Sequence, residues 1–167
     1  GSAFVDTIVG DNEGNTLRGE AGNDVLAGIG GDDTLIGGAG ADSLDGGVGF
    51  NIASYATAAQ GVVASLSTPS INTGDAAGDT YANIQQINGS GFGDTLTALN
   101  ANGSTLRGLG GDDILNAAGF GTQLNGDDGN DILNGSNADD VLLGGAGADQ
   151  IRGNGGTDLA SYVTPFS

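Results

Sequence analysis

Aspartate recurs in this chain at a fixed interval. In Gly144-Gly145-Ala146-Gly147-Ala148-Asp149-Gln150-Ile151-Arg152, glycine holds places one, two and four of a nonapeptide, aspartate place six and a large aliphatic place eight. The frame returns in Gly37-Gly38-Ala39-Gly40-Ala41-Asp42-Ser43-Leu44-Asp45 and in Gly126-Asp127-Asp128-Gly129-Asn130-Asp131-Ile132-Leu133-Asn134. Early in the chain, place six is filled by Asp6, Asn15, Asp24, Asp33, Asp42 and Asn51, and place eight by Ile8, Leu17, Leu26, Leu35, Leu44 and Ala53. A carboxylate beside a glycine-rich turn, which offers its carbonyls, is a set of hard oxygen donors. Calcium takes about six to eight oxygens of mixed kind and suits that set; magnesium, with its tight octahedron and retained water, suits it less. The chain has neither His nor Cys, so zinc and copper lack their preferred ligands. One aspartate per turn is too few for a site, but two stacked turns bring two carboxylates and carbonyls from each.

A short strand and a turn must position those donors. The residues around place eight, as in Asp24-Val25-Leu26-Ala27, predict a three-residue strand with one inward side chain. The glycines before it predict a turn, places one and four needing backbone angles or clearances that a Cβ would obstruct. One buried aliphatic makes no core by itself, so successive strand-turn units must stack. If each coil takes two nonapeptides, residues eighteen apart lie above one another and carboxylates of adjacent coils meet on one edge.

The repeat falls into two blocks, 1–55 and 89–162, both opening on Gly-Ser-x-Phe-x-Asp-Thr and closing on Ala-Ser-Tyr. The second block is longer by nineteen residues, which is two nonapeptides plus a single insertion near Ala98. Between them, 56–88 abandons the repeat. Gly61 to Ser67 predicts a strand, and Pro69 with Asn72-Thr73-Gly74 a turn behind it. Tyr81, Ile84 and Ile87 fit either a helical turn or strand-loop-strand. This insert is expected to cover the end of one stack and feed the next, with a plain linker as the alternative; Phe4, Tyr55, Phe92 and Tyr162 are expected to help close the block ends. Residues 163–167 would begin a further segment, and the chain is expected to be a monomeric fragment of a longer tandem array.

The nonapeptide resembles the calcium-binding glycine-rich repeat of the RTX (repeats-in-toxin, hemolysin-type) family. The resemblance covers nearly the whole chain outside the insert. It implies an all-β, right-handed parallel β-roll, a β-solenoid with calcium ions between turns of adjacent coils on both edges, and secretion through a type I apparatus. Carried over by position, it implies side-chain ligands at Asp94, Asp113, Asp131 and Asp149 along one edge of the second block. The opposite edge reads Ser104, Thr122, Asp140 and Asp158, so calcium there should be confined to the last pair. In the first block Asp6, Asp24 and Asp42 form one edge; Asn15, Asp33 and Asn51 form a weaker or empty one. The turn backbone would come from Gly19, Gly22, Gly28, Gly37, Gly40, Gly108, Gly126, Gly129, Gly135, Gly144 and Gly147. Glu13 and Phe120, at place four, disturb their turns. Asp32, Asp112 and Asp139, at place five, read as solvated charge; Asp75 and Asp79 read as an Asx turn, with an isolated calcium site as the alternative.

Composition narrows the function. With 21 acidic against 3 basic residues the formal charge is −18, and 35 glycines leave few large side chains for a core. Such a chain repels itself and should be largely disordered without counter-ions. Nucleic acid is not expected as a partner, because neutralising phosphate needs Lys or Arg and the chain has no lysine and only 3 basic residues. No stretch approaches a membrane span, and no disulfide can form. A helix-loop-helix calcium site is excluded because Glu13 and Glu20, the only glutamates, close no such loop. A threonine ladder suited to ice is absent. An enzyme is not expected, since His, Cys and Lys are missing and the carboxylates follow the repeat. The expected function is a calcium-binding module of a secreted or surface protein that folds on calcium outside the cell. Two alternatives stand beside it: the stalk or adhesive repeat of a large adhesin or surface-layer protein, and an accessory module of a secreted protease, lipase or polysaccharide-modifying enzyme. A cell-surface or polysaccharide ligand would be reached through the parent protein.

Overall fold

The computed structural model describes residues 1–99 and 103–162. Its strands are short because each nonapeptide spends half its length in a turn. They run in pairs: β1 (Thr7–Val9) with β2 (Thr16–Ala21), β3 (Val25–Ala27) with β4 (Thr34–Ala39), and β5 (Ser43–Asp45) with β6 (Ile52–Ser54). The insert supplies β7 (Val63–Ser65), β8 (Thr80–Ala82) and β9 (Gln86–Asn88). Then come β10 (Thr95–Thr97) with β11 (Thr105–Gly110), β12 (Ile114–Asn116) with β13 (Gln123–Asp128), β14 (Ile132–Asn134) with β15 (Val141–Ala146), and β16 (Gln150–Arg152) with β17 (Leu159–Ser161). Every strand pair is parallel, and the result is a β-solenoid of about eight turns.

The register gives the coil length directly. Ile8 pairs with Leu26 and Leu26 with Leu44; Leu106 pairs with Leu124 and Leu124 with Leu142, all eighteen apart. Leu96 pairs with Leu115, nineteen apart, so the extra residue sits between β10 and β11. The insertion expected near Ala98 falls there, and 100–102 lie outside the described residues.

One face is an unbroken eight-stranded sheet, β2-β4-β6-β9-β11-β13-β15-β17, which passes straight through the insert. The other face is divided into β1-β3-β5-β8 and β7-β10-β12-β14-β16. Place eight points inward on both, so two facing aliphatic columns fill the interior. Leu26, Leu35, Leu44, Leu96, Leu106, Leu115, Leu124, Leu133 and Leu142 are all fully buried. At about 1.5–3 kcal/mol each, these leucines are the main attraction between coils.

Strands on the long face differ from expectation: several have six residues rather than three. Pairing resumes beyond place one, as in Glu20 with Gly38 and Leu109 with Asp127, because turns of equal shape stack in register. In the insert, Tyr81 lies in β8 and Ile87 in β9, so strand-loop-strand is the form adopted. The strand expected between Gly61 and Ser67 is β7, followed by 3-10 turns at Pro69–Ile71 and Gly74–Ala76. Where the divided face breaks, the Tyr55 hydroxyl donates to Asp79 Oδ2 at 2.7 Å and meets the Tyr81 hydroxyl, which accepts from Asn72 Nδ2 at 3.0 Å. Tyr55 is buried there. Phe4, Phe92 and Tyr162, expected to close block ends, are instead exposed.

Candidate metal-binding turns

Each place-six side chain lies at the edge of the roll where the turn re-enters a strand. Within each row, the Oδ1 of a later rung accepts the backbone N–H of the rung one coil earlier. Asp6, Asp24 and Asp42 form one such ladder, Asp24 Oδ1 accepting from Asp6 N at 2.8 Å and Asp42 Oδ1 from Asp24 N at 2.8 Å. Asp94, Asp113, Asp131 and Asp149 form a second, with bonds of 2.8, 2.9 and 3.1 Å. On the opposite edges Asp33 accepts from Asn15, Asn51 from Asp33, Asp140 from Thr122 and Asp158 from Asp140. The acidic rungs expected from the repeat are thus brought into four rows.

The second carboxylate oxygen decides what these rows can do. Oδ2 of Asp24, Asp33, Asp42, Asp113, Asp131 and Asp149 is buried and has no hydrogen-bond partner. Five of those residues are at most 1% exposed. A buried, unpartnered carboxylate oxygen is costly and needs an opposite charge. Beside each lies space that only glycine leaves: a Cβ at Gly19 would overlap Asp24 Oδ2 and the Gly37 carbonyl oxygen, and one at Gly126 would overlap Asp131 Oδ2 and the Gly144 carbonyl oxygen. Gly28 and Gly108 repeat the arrangement with Asp33 and Asp113, and Gly37 and Gly144 approach Asp42 and Asp149. Place four serves the turn differently. Gly22, Gly40, Gly129 and Gly147 hold φ between 122° and 151°, which a side chain rarely adopts, and a Cβ at Gly40 or Gly147 would strike the place-four carbonyl of the coil before.

Non-glycine residues are also forced into the left-handed region. Glu20, Ile29, Leu109, Asp127 and Asn154, all at place two, hold φ from 67° to 80°. For the β-branched Ile29 this is a strained state, of a kind that clusters at binding sites. Among the described residues no three acidic side chains converge. A cation here would therefore be held by one or two carboxylates and completed by backbone carbonyls, which is calcium chemistry. Burial, reinforced by Asp94, Asp131 and Asp112 nearby, pushes the Asp113 carboxyl up to about 8 against the bond it accepts from Asp94 N–H. Burial likewise pushes Asp131 up to about 6, helped by Asp149, Asp112 and Asp127.

The RTX calcium-binding nonapeptide repeat family model matches residues 1–34, 25–53 and 125–160, in four copies, over just more than half of the chain. The chain belongs to the RTX calcium-binding nonapeptide family. Among curated proteins none matches it. RTX repeats are a structural calcium-binding module typical of secreted proteins, and the RTX β-roll is not a catalytic fold. The matched segments leave out 54–124, so Asp94 and Asp113 join the RTX ladder through their register and hydrogen bonds alone.

Three features of these RTX turns are not in the expectations. Asp79 is the next rung after Asp42, its Oδ1 accepting Asp42 N–H at 2.8 Å, and Gln85 follows Asn51 in the same way at 2.7 Å. The insert therefore carries both ladders through one coil without a nonapeptide, and Asp79 is a rung rather than an Asx turn. Place five forms its own ladder in the opposite sense: Asp32 Oδ1 accepts Phe50 N–H, Asp112 Oδ1 accepts Asn130 N–H and Asp139 Oδ1 accepts Thr157 N–H, at 2.7–2.8 Å. Asp32, Asp112 and Asp139 are thus exposed, as expected of solvated charge, and also serve as backbone acceptors that tie each coil to the next. Lastly, Asn51 turns its Nδ2 toward the Gly47 and Asn83 carbonyls and fills with a donor the position where Asp would leave an oxygen.

Proposed function

We propose that this chain is an RTX module whose folding is coupled to calcium, with ions held between successive turns by Asp24, Asp33, Asp42, Asp113, Asp131 and Asp149. Asp158 would join them on the last coil. The ions would serve the blocks 1–55 and 89–162, with 56–88 connecting them. The observation that carries this reading is the row of buried Oδ2 atoms without partners, each beside a cradle that only glycine leaves open. Stacking such rungs brings like charges together in a chain of formal charge −18, so the folded form binds cations that the unfolded chain does not hold in place. Binding only to the folded form stabilises it by mass action. Affinities of roughly 10⁻⁴ to 10⁻³ M, usual for extracellular calcium modules, would leave the chain unfolded before export. The unbroken sheet through the insert favours a stiff structural segment of a larger secreted or surface protein over a detachable tail. Far-UV circular dichroism across a calcium titration tests the coupling. At about pH 8, where the rung carboxylates are most fully charged, strand signal should appear with calcium and vanish in excess chelator; strand signal that persists in chelator at that pH defeats the proposal.

A further inference from the structure

Two kinds of turn among the described residues lead into the Asp and Asn rungs, distinguished at place two. In the turns that leave Oδ2 without a partner, place two is in the left-handed region, as Glu20, Ile29, Gly38, Leu109, Asp127 and Gly145, and place four is glycine. Four other turns begin differently. Ser2 N–H donates to Asp6 Oδ2 at 2.6 Å and Ser2 Oγ to the same oxygen at 2.9 Å. Ser90 N–H donates to Asp94 Oδ2 at 2.5 Å, with Ser90 Oγ on Asp94 Oδ1 at 3.0 Å. Ser136 N–H donates to Asp140 Oδ2 at 2.6 Å, and Ser136 Oγ shares its one hydrogen between that oxygen at 2.9 Å and the Gly119 carbonyl oxygen at 2.8 Å. Asp11 N–H donates to Asn15 Oδ1 at 2.8 Å.

In all four, the place-two side-chain oxygen also accepts the N–H of place four, which is Phe4, Glu13, Phe92 or Ala138. That bond stabilises a turn without positive φ at place two or four, and so without the glycine. The departure of Glu13 from the repeat is thus a change of turn type. The consequence is electrostatic: where the first kind of turn presents a bare carboxylate oxygen, this kind directs the place-two N–H at the corresponding oxygen, and a cation placed there would meet a donor instead of an acceptor.

Resting on the proposal that the open turns bind calcium, we infer that place two selects which turns do: a serine there, or Asp11 with its Asn15 partner, closes the turn and excludes the ion. The closed turns stand where rows of acidic rungs begin. Asp6 and Asn15 are the first rungs of the two early rows, Asp94 opens the long late row, and Asp140 is the first carboxylate after Ser104 and Thr122. A first rung has no acidic rung before it to share a cation, and its own place-two residue supplies the missing donor. Gly-Ser-x-Phe-x-Asp-Thr, which opens both blocks, is accordingly a metal-free starting turn.

Calcium stoichiometry at saturation, measured by equilibrium dialysis on the full chain, tests the inference. Asp131→Asn, in an open turn, should bind one ion fewer than the parent. Asp140→Asn should bind as many as the parent, and Ser136→Gly/Ala138→Gly, which opens the turn around Asp140, should bind one more. Circular dichroism in saturating calcium shows which variants are folded. If folding fails in the double variant, the Asp140→Asn comparison decides, and if it fails in Asp140→Asn the double variant decides. Loss of an ion in folded Asp140→Asn, or no gain in the folded double variant, overturns the selection by place two while leaving calcium binding intact. A parent that binds no calcium overturns both.

Discussion

Asp131→Asn separates a ligand from a structural acceptor. The substitution keeps an oxygen to accept Asp113 N–H, a 2.9 Å bond, and replaces the unpartnered Oδ2 with an uncharged amide. With a site dissociation constant on the order of 10⁻⁴ M, free calcium at about 100 times that value adds about 2.7 kcal/mol to the parent through this one ion. The variant forgoes it. Each tenfold rise in free calcium should therefore widen the gap between parent and variant by about 1.4 kcal/mol. At the lowest calcium that still supports folding the order should reverse, because the variant no longer buries a charge without a partner. Urea unfolding followed by circular dichroism at stepped calcium concentrations measures both stabilities. Two stabilities that run parallel across the series would show that Oδ2 takes no part in binding.

Three further outcomes follow from the same geometry. Gly126→Ala sets a methyl group against Asp131 Oδ2 and the Gly144 carbonyl oxygen, a backbone atom that cannot swing aside. It should cost about 1–3 kcal/mol in overpacking and one bound ion, read as a lower melting temperature and a smaller calcium uptake; full uptake would contradict it. Leu133→Ala empties a fully buried place eight and should cost about 2–5 kcal/mol. That loss should be equal at every calcium concentration in the urea series, and a loss that grows with calcium would contradict it. In excess chelator, acidification from about pH 8 to about pH 5 should raise strand content. Asp113 and Asp131 sit at about 8 and about 6 in the fold, above the ordinary 3.8, so the folded form binds more protons. Their contribution is complete below the ordinary value and is lost as pH rises through the folded values. Strand content that falls steadily on acidification would contradict this.

The stack was legible in the sequence wherever the repeat keeps its phase. An aliphatic at every ninth residue fixes which side chain turns inward, and the length difference between the blocks favours two nonapeptides per coil; the pairing of Leu26 with Leu44 is what establishes it. The acidic rows follow from that spacing too. What stayed hidden depends on hydrogen bonds rather than on period. Asp79 lies thirty-seven residues from Asp42 in an unrepeated segment, and only the pairing of β8 with β5 makes it a rung. Asp32 and Asp112 are exposed, as the sequence suggests, but nothing in a sequence shows that a backbone N–H one coil later points at them. The closed turns did leave a sequence trace: serine at place two always accompanies a non-glycine at place four, as in Ser90 with Phe92 and Ser136 with Ala138. It is a correlated pair within one turn, and a consensus read one position at a time passes over it.

The central claim is that the bare Oδ2 atoms are ion ligands, and anomalous diffraction from a crystal grown in millimolar calcium tests it most directly. Peaks should lie within bonding distance of Asp113 Oδ2 and Asp131 Oδ2, beside Gly108 and Gly126. Anomalous density that is flat at both positions, in a chain folded as described, would contradict the account.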